Sequence, residues 1–160
     1  MGDGRRMRQY VLALDPGKTT GWAAYDCETR EFKSGQTDYD ETCRMLMNMS
    51  AFERPLLMNE VDIVSESFII TVNTAKNTQA TWSLELIGVA RMVSRLYGGQ
   101  ELVLQSPSAA KRLMSDELLK ALEWYVPGKG HANDAARHLG LFLMSRGWMD
   151  DRVKAFIAGR

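Results

Sequence analysis

Tyr10-Val11-Leu12-Ala13-Leu14-Asp15-Pro16-Gly17-Lys18-Thr19-Thr20-Gly21-Trp22-Ala23-Ala24-Tyr25 consists of two apolar runs joined by a short turn. Such a pair predicts a β-hairpin. Asp15 closes the first run, so a carboxylate stands where a buried strand meets a glycine-containing turn, the place where α/β sheets hold their ligands. Lys18 sits beside it. A carboxylate and a cation at one turn point to a metal and a phosphate, whereas the plainer reading is an ordinary hairpin whose aspartate caps turn amides. Gly17-Lys18-Thr19 looks like the end of a phosphate-binding P-loop. That motif needs another glycine five residues before Gly17, and the position holds Leu12, so the P-loop is excluded.

Downstream of the hairpin, Glu31 to Thr37 predicts a third strand after the polar turn Asp26-Cys27-Glu28-Thr29-Arg30. Asp38 or Asp40 can cap a helix whose apolar stripe is Cys43, Leu46, Met47 and Met49 or Ser50, ending before Pro55. Val61 to Glu66 predicts a fourth strand, parallel to the first because a helix connects them. It too ends on a carboxylate. Trp82, Leu86, Val89, Val93 and Leu96 mark the longest helix, from about Thr78 to Tyr97, with Gly98-Gly99 as its stop. Glu101 to Gln105 supplies a short fifth strand, and Pro107 can open a short helix followed by less regular helical sequence through Leu122. The last helix is expected from about His131 to Arg146, with Ala135, Leu139, Phe142 and Leu143 toward the core. Strands interleaved with helices make this an α/β chain.

The chain has 160 residues, 45% of them hydrophobic and 25% charged, which fits one globular domain. Residues 1–8 read as a flexible tail and about 9–146 as the core. No apolar run is long enough to span a bilayer, and the N-terminus lacks a secretory signal, so the expected location is the cytoplasm, away from membranes. Cys27 and Cys43 have no close-spaced partners and read as reduced structural thiols. Twenty basic residues balance twenty acidic ones, which argues against coating nucleic acid through bulk charge. Any nucleic-acid binding must use a local patch.

If the first and fourth strands are parallel neighbours, Asp15 and Glu66 reach the same edge of the sheet although fifty-one positions separate them. On the last helix, successive residues turn by roughly 100°, which brings His131, Asp134 and His138 to one side at the border of the apolar stripe. Clustered carboxylates suit magnesium or manganese, and a pair of such ions can clamp a phosphodiester during hydrolysis. Each residue also has a plainer role: Glu66 as an exposed strand-end acid, Asp134 as a first-turn acid favoured by the helix dipole, and His131 as a helix-start residue.

The order of these elements, with Leu14-Asp15-Pro16-Gly17, Thr20-Gly21-Trp22-Ala23, Val64-Ser65-Glu66-Ser67-Phe68 and His131-Ala132-Asn133-Asp134-Ala135-Ala136, resembles RuvC-type Holliday junction resolvases over about residues 9–146. The resemblance implies a ribonuclease H-like fold, with a mixed five-stranded sheet and helices on both faces. It also implies a homodimer that acts on four-way DNA junctions and uses Mg2+ or Mn2+, two ions per active site. Asp15, Glu66 and Asp134 match its catalytic, metal-binding acids, and His131 stands where a further acid is usual. Phe68 is the candidate for a junction wedge, one residue earlier than the family spacing, and is otherwise a core phenylalanine. Lys18, Lys76, Lys111, Arg112 and Lys129 are candidates for neutralising DNA phosphates. The long helix, including Met92, is the candidate dimer face.

Three alternatives stay open on the sequence: a related nuclease acting on RNA or flap DNA, a junction-binding protein with weak catalysis, and an ATPase. The Asp15 to Thr20 turn also resembles the first phosphate loop of sugar kinases and actin-like ATPases. Those proteins need a second domain that this chain is too short to supply.

Overall fold

The computed structural model describes residues 8–52, 56, 60–68, 79–98 and 101–159. Its centre is β1 (Tyr10–Asp15), in which every residue is buried. A strand apolar on both faces must be covered on both, and β1 accordingly lies mid-sheet in a five-stranded sheet of order β3-β2-β1-β4-β5. β2 (Thr19–Asp26) and β3 (Phe32–Asp38) form the antiparallel meander, while β4 (Val61–Glu66) and β5 (Val103–Gln105) run parallel to β1. The mixed five-stranded sheet expected from the sequence is the one observed.

Strand periodicity sends alternate residues to opposite faces. Tyr10, Leu12 and Leu14 join Ile63 and Val61 under α1 (Tyr39–Asn48) and α2 (Gln79–Gly98), where Met45, Leu46, Ile87, Ala90 and Val93 complete one core. Val11 and Ala13 join Ala23, Tyr25 and Val64 on the other face. α3 (Pro107–Leu113) and α4 (Asp116–Ala121) pack against α5 (Gly130–Ser145), which lies across that face, and α6 (Asp151–Ala158) packs against α4. Asp15 shares parity with Ala13, and Glu66 with Val64, so both acids belong to the α5 face.

Local chemistry sets the ends of the helices. Asp38, rather than Asp40, caps α1 by accepting from the Glu41 amide at 2.9 Å, and Met49 closes it in the left-handed region with φ 49°. Met47, read as part of the inward stripe, is exposed; Thr42 and Met45 take the buried positions. The irregular helical stretch before Leu122 resolves into α3 and α4, each with its own serine cap, Ser106 and Ser115. β5 is shorter than expected, beginning at Val103. α6 lies beyond the elements that the sequence predicts: Asp150 caps it and Val153 is its only fully buried residue, so it carries little apolar periodicity. Arg8, assigned to the flexible tail, is tied to Asp62 by its amide at 3.1 Å and its guanidinium at 3.5 Å, while residues 1–7 lie outside the described residues. No helix among the described residues is long and apolar enough to cross a membrane.

Candidate functional site

The strand registers align one row of side chains across the sheet. Gln36 pairs with Gly21, Gly21 with Asp15, and Glu66 with Gln105; Leu14 pairs with Ser65, so Asp15 and Glu66 follow side by side. The N-terminal half of α5 lies across this row. Gln36 accepts the His131 amide at 3.1 Å, the His131 ring meets Asp15 Oδ2 through Nδ1 at 2.7 Å, and the His138 ring meets Glu66 Oε2 and Gln105. Gly21 is what permits the close approach: a Cβ there would fall 1.9 Å from the His131 carbonyl oxygen. Ala132, Ala135 and Ala136, all buried, keep the helix low on the sheet.

The start of α5 is anchored from its preceding loop. Asn133 accepts the Val126 amide at 2.8 Å and donates to the Val126 carbonyl at 2.9 Å, supporting a helix whose N-cap, Lys129, makes no side-chain cap bond. The β1–β2 turn is held differently from the plain capped hairpin. Thr20 Oγ1 bonds both the amide and the carbonyl of Gly17, at 3.3 and 3.0 Å, while Ser83 on α2 donates to the Pro16 carbonyl at 2.7 Å. Asp15 is thereby left to face α5.

Asp15 is only 9% exposed. Burial, reinforced by the negative charges of Glu66 and Asp134, pushes its carboxyl up to about 6 against the lowering effect of the His131 hydrogen bond. All three acids therefore share one electrostatic neighbourhood. Asp134 is partly covered and held by two cations, Arg137 Nη1 at 2.7 Å and Lys111 Nζ at 3.4 Å. Arg137 is itself fixed by the Met114 carbonyl at 3.1 Å and by Asp116. Among the described residues, no three His, Cys, Asp or Glu side chains are gathered closely enough to hold a metal ion as they stand. The donors fit magnesium or manganese in kind, being carboxylates at a sheet edge with one half-exposed imidazole.

Lys18, Arg112 and Lys129 are exposed, and Lys111 is exposed while reaching Asp134. Lys76 lies outside the described residues. Phe68 is half-buried against the α1–α2 core. Four further residues, Gln36, Gln105, Arg137 and His138, hold the acids and α5 in place. Gln36 and Gln105 gave no signal beyond strand membership, whereas Arg137 stands one turn beyond Asp134 and His138 was already placed on the His131 side of the helix. Cys27 and Cys43 are free and half-buried, and burial pushes the Cys27 thiol up to about 11, so it is inert.

No family model and no curated protein matches the sequence. Among solved structures, the chain is similar to T. thermophilus RuvC in complex with a Holliday junction substrate, with a TM-score of 0.50 over 86% of this chain and 94% of that one. The fold is ribonuclease H-like. At 16% identity the similarity speaks to the ribonuclease H-like architecture alone. In that architecture the Asp15–Glu66 row marks the carboxyl edge of the two central parallel strands, with α5 laid over it.

Proposed function

We infer that this chain is a metal-dependent endonuclease that hydrolyses phosphodiesters in branched DNA, four-way junctions foremost. The observation that carries the reading is Asp15 and Glu66 at the adjoining ends of parallel strands in a ribonuclease H-like sheet, with His131 of α5 on Asp15 at 2.7 Å and the charge of Asp134 felt there. The similarity to a junction-bound RuvC supports the substrate class.

Asp15, Glu66 and Asp134 would hold the cations, with His131 as a further donor or a group that positions water. Magnesium or manganese bound there, as two ions, would activate water and neutralise the departing oxygen. The protein's own contributions begin with Asp15, whose burial beside two other acids favours taking up positive charge. His131 keeps Asp15 oriented through Nδ1 and leaves the other end of a half-exposed ring for water or the scissile phosphate. Lys111 can leave Asp134 for a DNA phosphate once a cation takes its place, and Lys18, Arg112 and Lys129 would neutralise neighbouring phosphates.

A homodimer would supply the two symmetric incisions that a four-way junction needs. Met92 and Leu96, at 55% and 57% exposure, and Leu84 leave apolar surface on α2 that a second copy can cover. The second reading, a junction-binding protein with weak catalysis, is favoured by Asp134 being engaged by Arg137 and Lys111.

Labelled four-way junctions, flaps, duplexes and structured RNA, each tested in Mg2+ and Mn2+, distinguish these readings. The nuclease reading expects junction cleavage leaving 5′-phosphate and 3′-hydroxyl ends, abolished by Asp15→Asn or Glu66→Gln with binding retained. Junction binding without turnover in either metal supports the second reading, and preferred cutting of RNA or flaps reassigns the substrate.

A further inference from the structure

The His138 ring is a buried polar group that the proposed chemistry does not itself use. At 1% exposure it lies under α5, with Nε2 3.0 Å from Glu66 Oε2 and Nδ1 3.0 Å from Gln105 Oε1. A buried imidazole with neither nitrogen satisfied would be costly, and here both are engaged. That occupancy also makes His138 unsuited to bind a metal itself.

We propose that His138 is a positioning residue for Glu66: its Nε2–H donates to Oε2, locks the carboxylate rotamer, and reserves Oε1 for the divalent cation. The inference rests on the reading of Glu66 as a metal ligand. Against a carboxylate oxygen, which accepts, Nε2 takes the donor role, a tautomer the ring can adopt. The amide of Gln105 can meet Nδ1 with either end, accepting with its oxygen or donating with its nitrogen, so the clamp holds the ring plane in both cases.

The construction follows from the register. Gln105 pairs with Glu66 on the neighbouring strand, so both side chains that grip the ring come from one row of the sheet. His138 lies seven residues, about two helical turns, after His131, which puts the two histidines over Glu66 and Asp15 respectively. α5 thus supplies one imidazole to each strand-end acid. The half-exposed one is open to substrate, and the buried one is fixed. Such outer hydrogen bonds orient metal-binding carboxylates, and their loss typically weakens metal affinity about 10–100-fold.

The test compares wild type, His138→Ala, His138→Gln and Glu66→Gln. Mn2+ is titrated into the DNA-free protein, with free ion followed by electron paramagnetic resonance, and the His138 nitrogens are observed by long-range 1H–15N correlation in the wild type. The expected result is a protonated Nε2, Mn2+ affinity reduced about 10–100-fold in His138→Ala, and recovery toward wild type in His138→Gln, whose amide can donate from near the same place. Undiminished Mn2+ binding by His138→Ala alongside a loss in Glu66→Gln overturns the positioning role and spares the site. An unprotonated Nε2 in the wild type overturns it even if His138→Ala fails to fold. Undiminished binding by Glu66→Gln, or none by the wild type, overturns the metal-site reading on which it rests.

Discussion

Asp15→Asn should make the protein more stable at neutral and alkaline pH while leaving it unable to cut. Burial first, and the charges of Glu66 and Asp134 after it, raise the Asp15 carboxyl from 3.8 to about 6 despite the His131 hydrogen bond. A carboxyl whose affinity for protons rises on folding favours the folded state most when protonated. Its contribution is complete below the unfolded value near 3.8, fades as pH climbs, and is gone above about 6. At roughly 1.4 kcal/mol per tenfold change in proton affinity, this rise amounts to about 3 kcal/mol. Asparagine keeps the shape and drops the charge, so the variant should match the wild type near pH 4 and exceed it by as much as that at pH 8.

In a chain of this size each kcal/mol moves the melting temperature by about 2–4 °C, which sets the expected gap at roughly 6–12 °C. Thermal unfolding followed by circular dichroism from pH 4 to 8 in chelator measures it directly. Adding Mg2+ at pH 8 should narrow the gap by raising the wild type and not the variant, because a ligand bound only by the folded state stabilises it. Parallel stability curves across that range, or a variant less stable at pH 8, would refute the claim that Asp15 is ionised against an unfavourable field.

Gly21→Ala should lower the unfolding free energy measured in urea by about 3 kcal/mol or more, because its Cβ has no room beneath the His131 carbonyl and α5 must lift. Arg137→Met removes donors to Asp134, Asp116 and the Met114 carbonyl and should cost about 2 kcal/mol in the same assay. Lys111→Ala should weaken junction binding and reduce the slope of log affinity against log salt by about 1, as read by fluorescence anisotropy. Met92→Lys combined with Leu96→Glu should convert a dimer to a monomer in light scattering while leaving the circular dichroism spectrum unchanged; a persistent dimer places the interface elsewhere.

The sheet was legible in the sequence because its information is local. β1 is apolar on both faces and therefore central, and the helix between β3 and β4 makes β4 parallel to β1, which brings Asp15 and Glu66 to one edge. The long apolar periods of α2 and α5 likewise announced themselves. What the sequence left out depends on cross-strand register and on partners far apart in the chain. Gln36 and Gln105 join the site only because their strands align with Gly21 and Glu66. The reach of Lys111 to Asp134 depends on how α3 packs on α5, whereas Arg137 meets Asp134 from three residues along the same helix, and α6 is too short and polar to show a stripe.

Anomalous diffraction from crystals grown with Mn2+ tests the central claim most directly. The account predicts manganese density bounded by Asp15, Glu66 and Asp134, with Lys111 displaced from Asp134. Density elsewhere, with none between those three carboxylates, would contradict it.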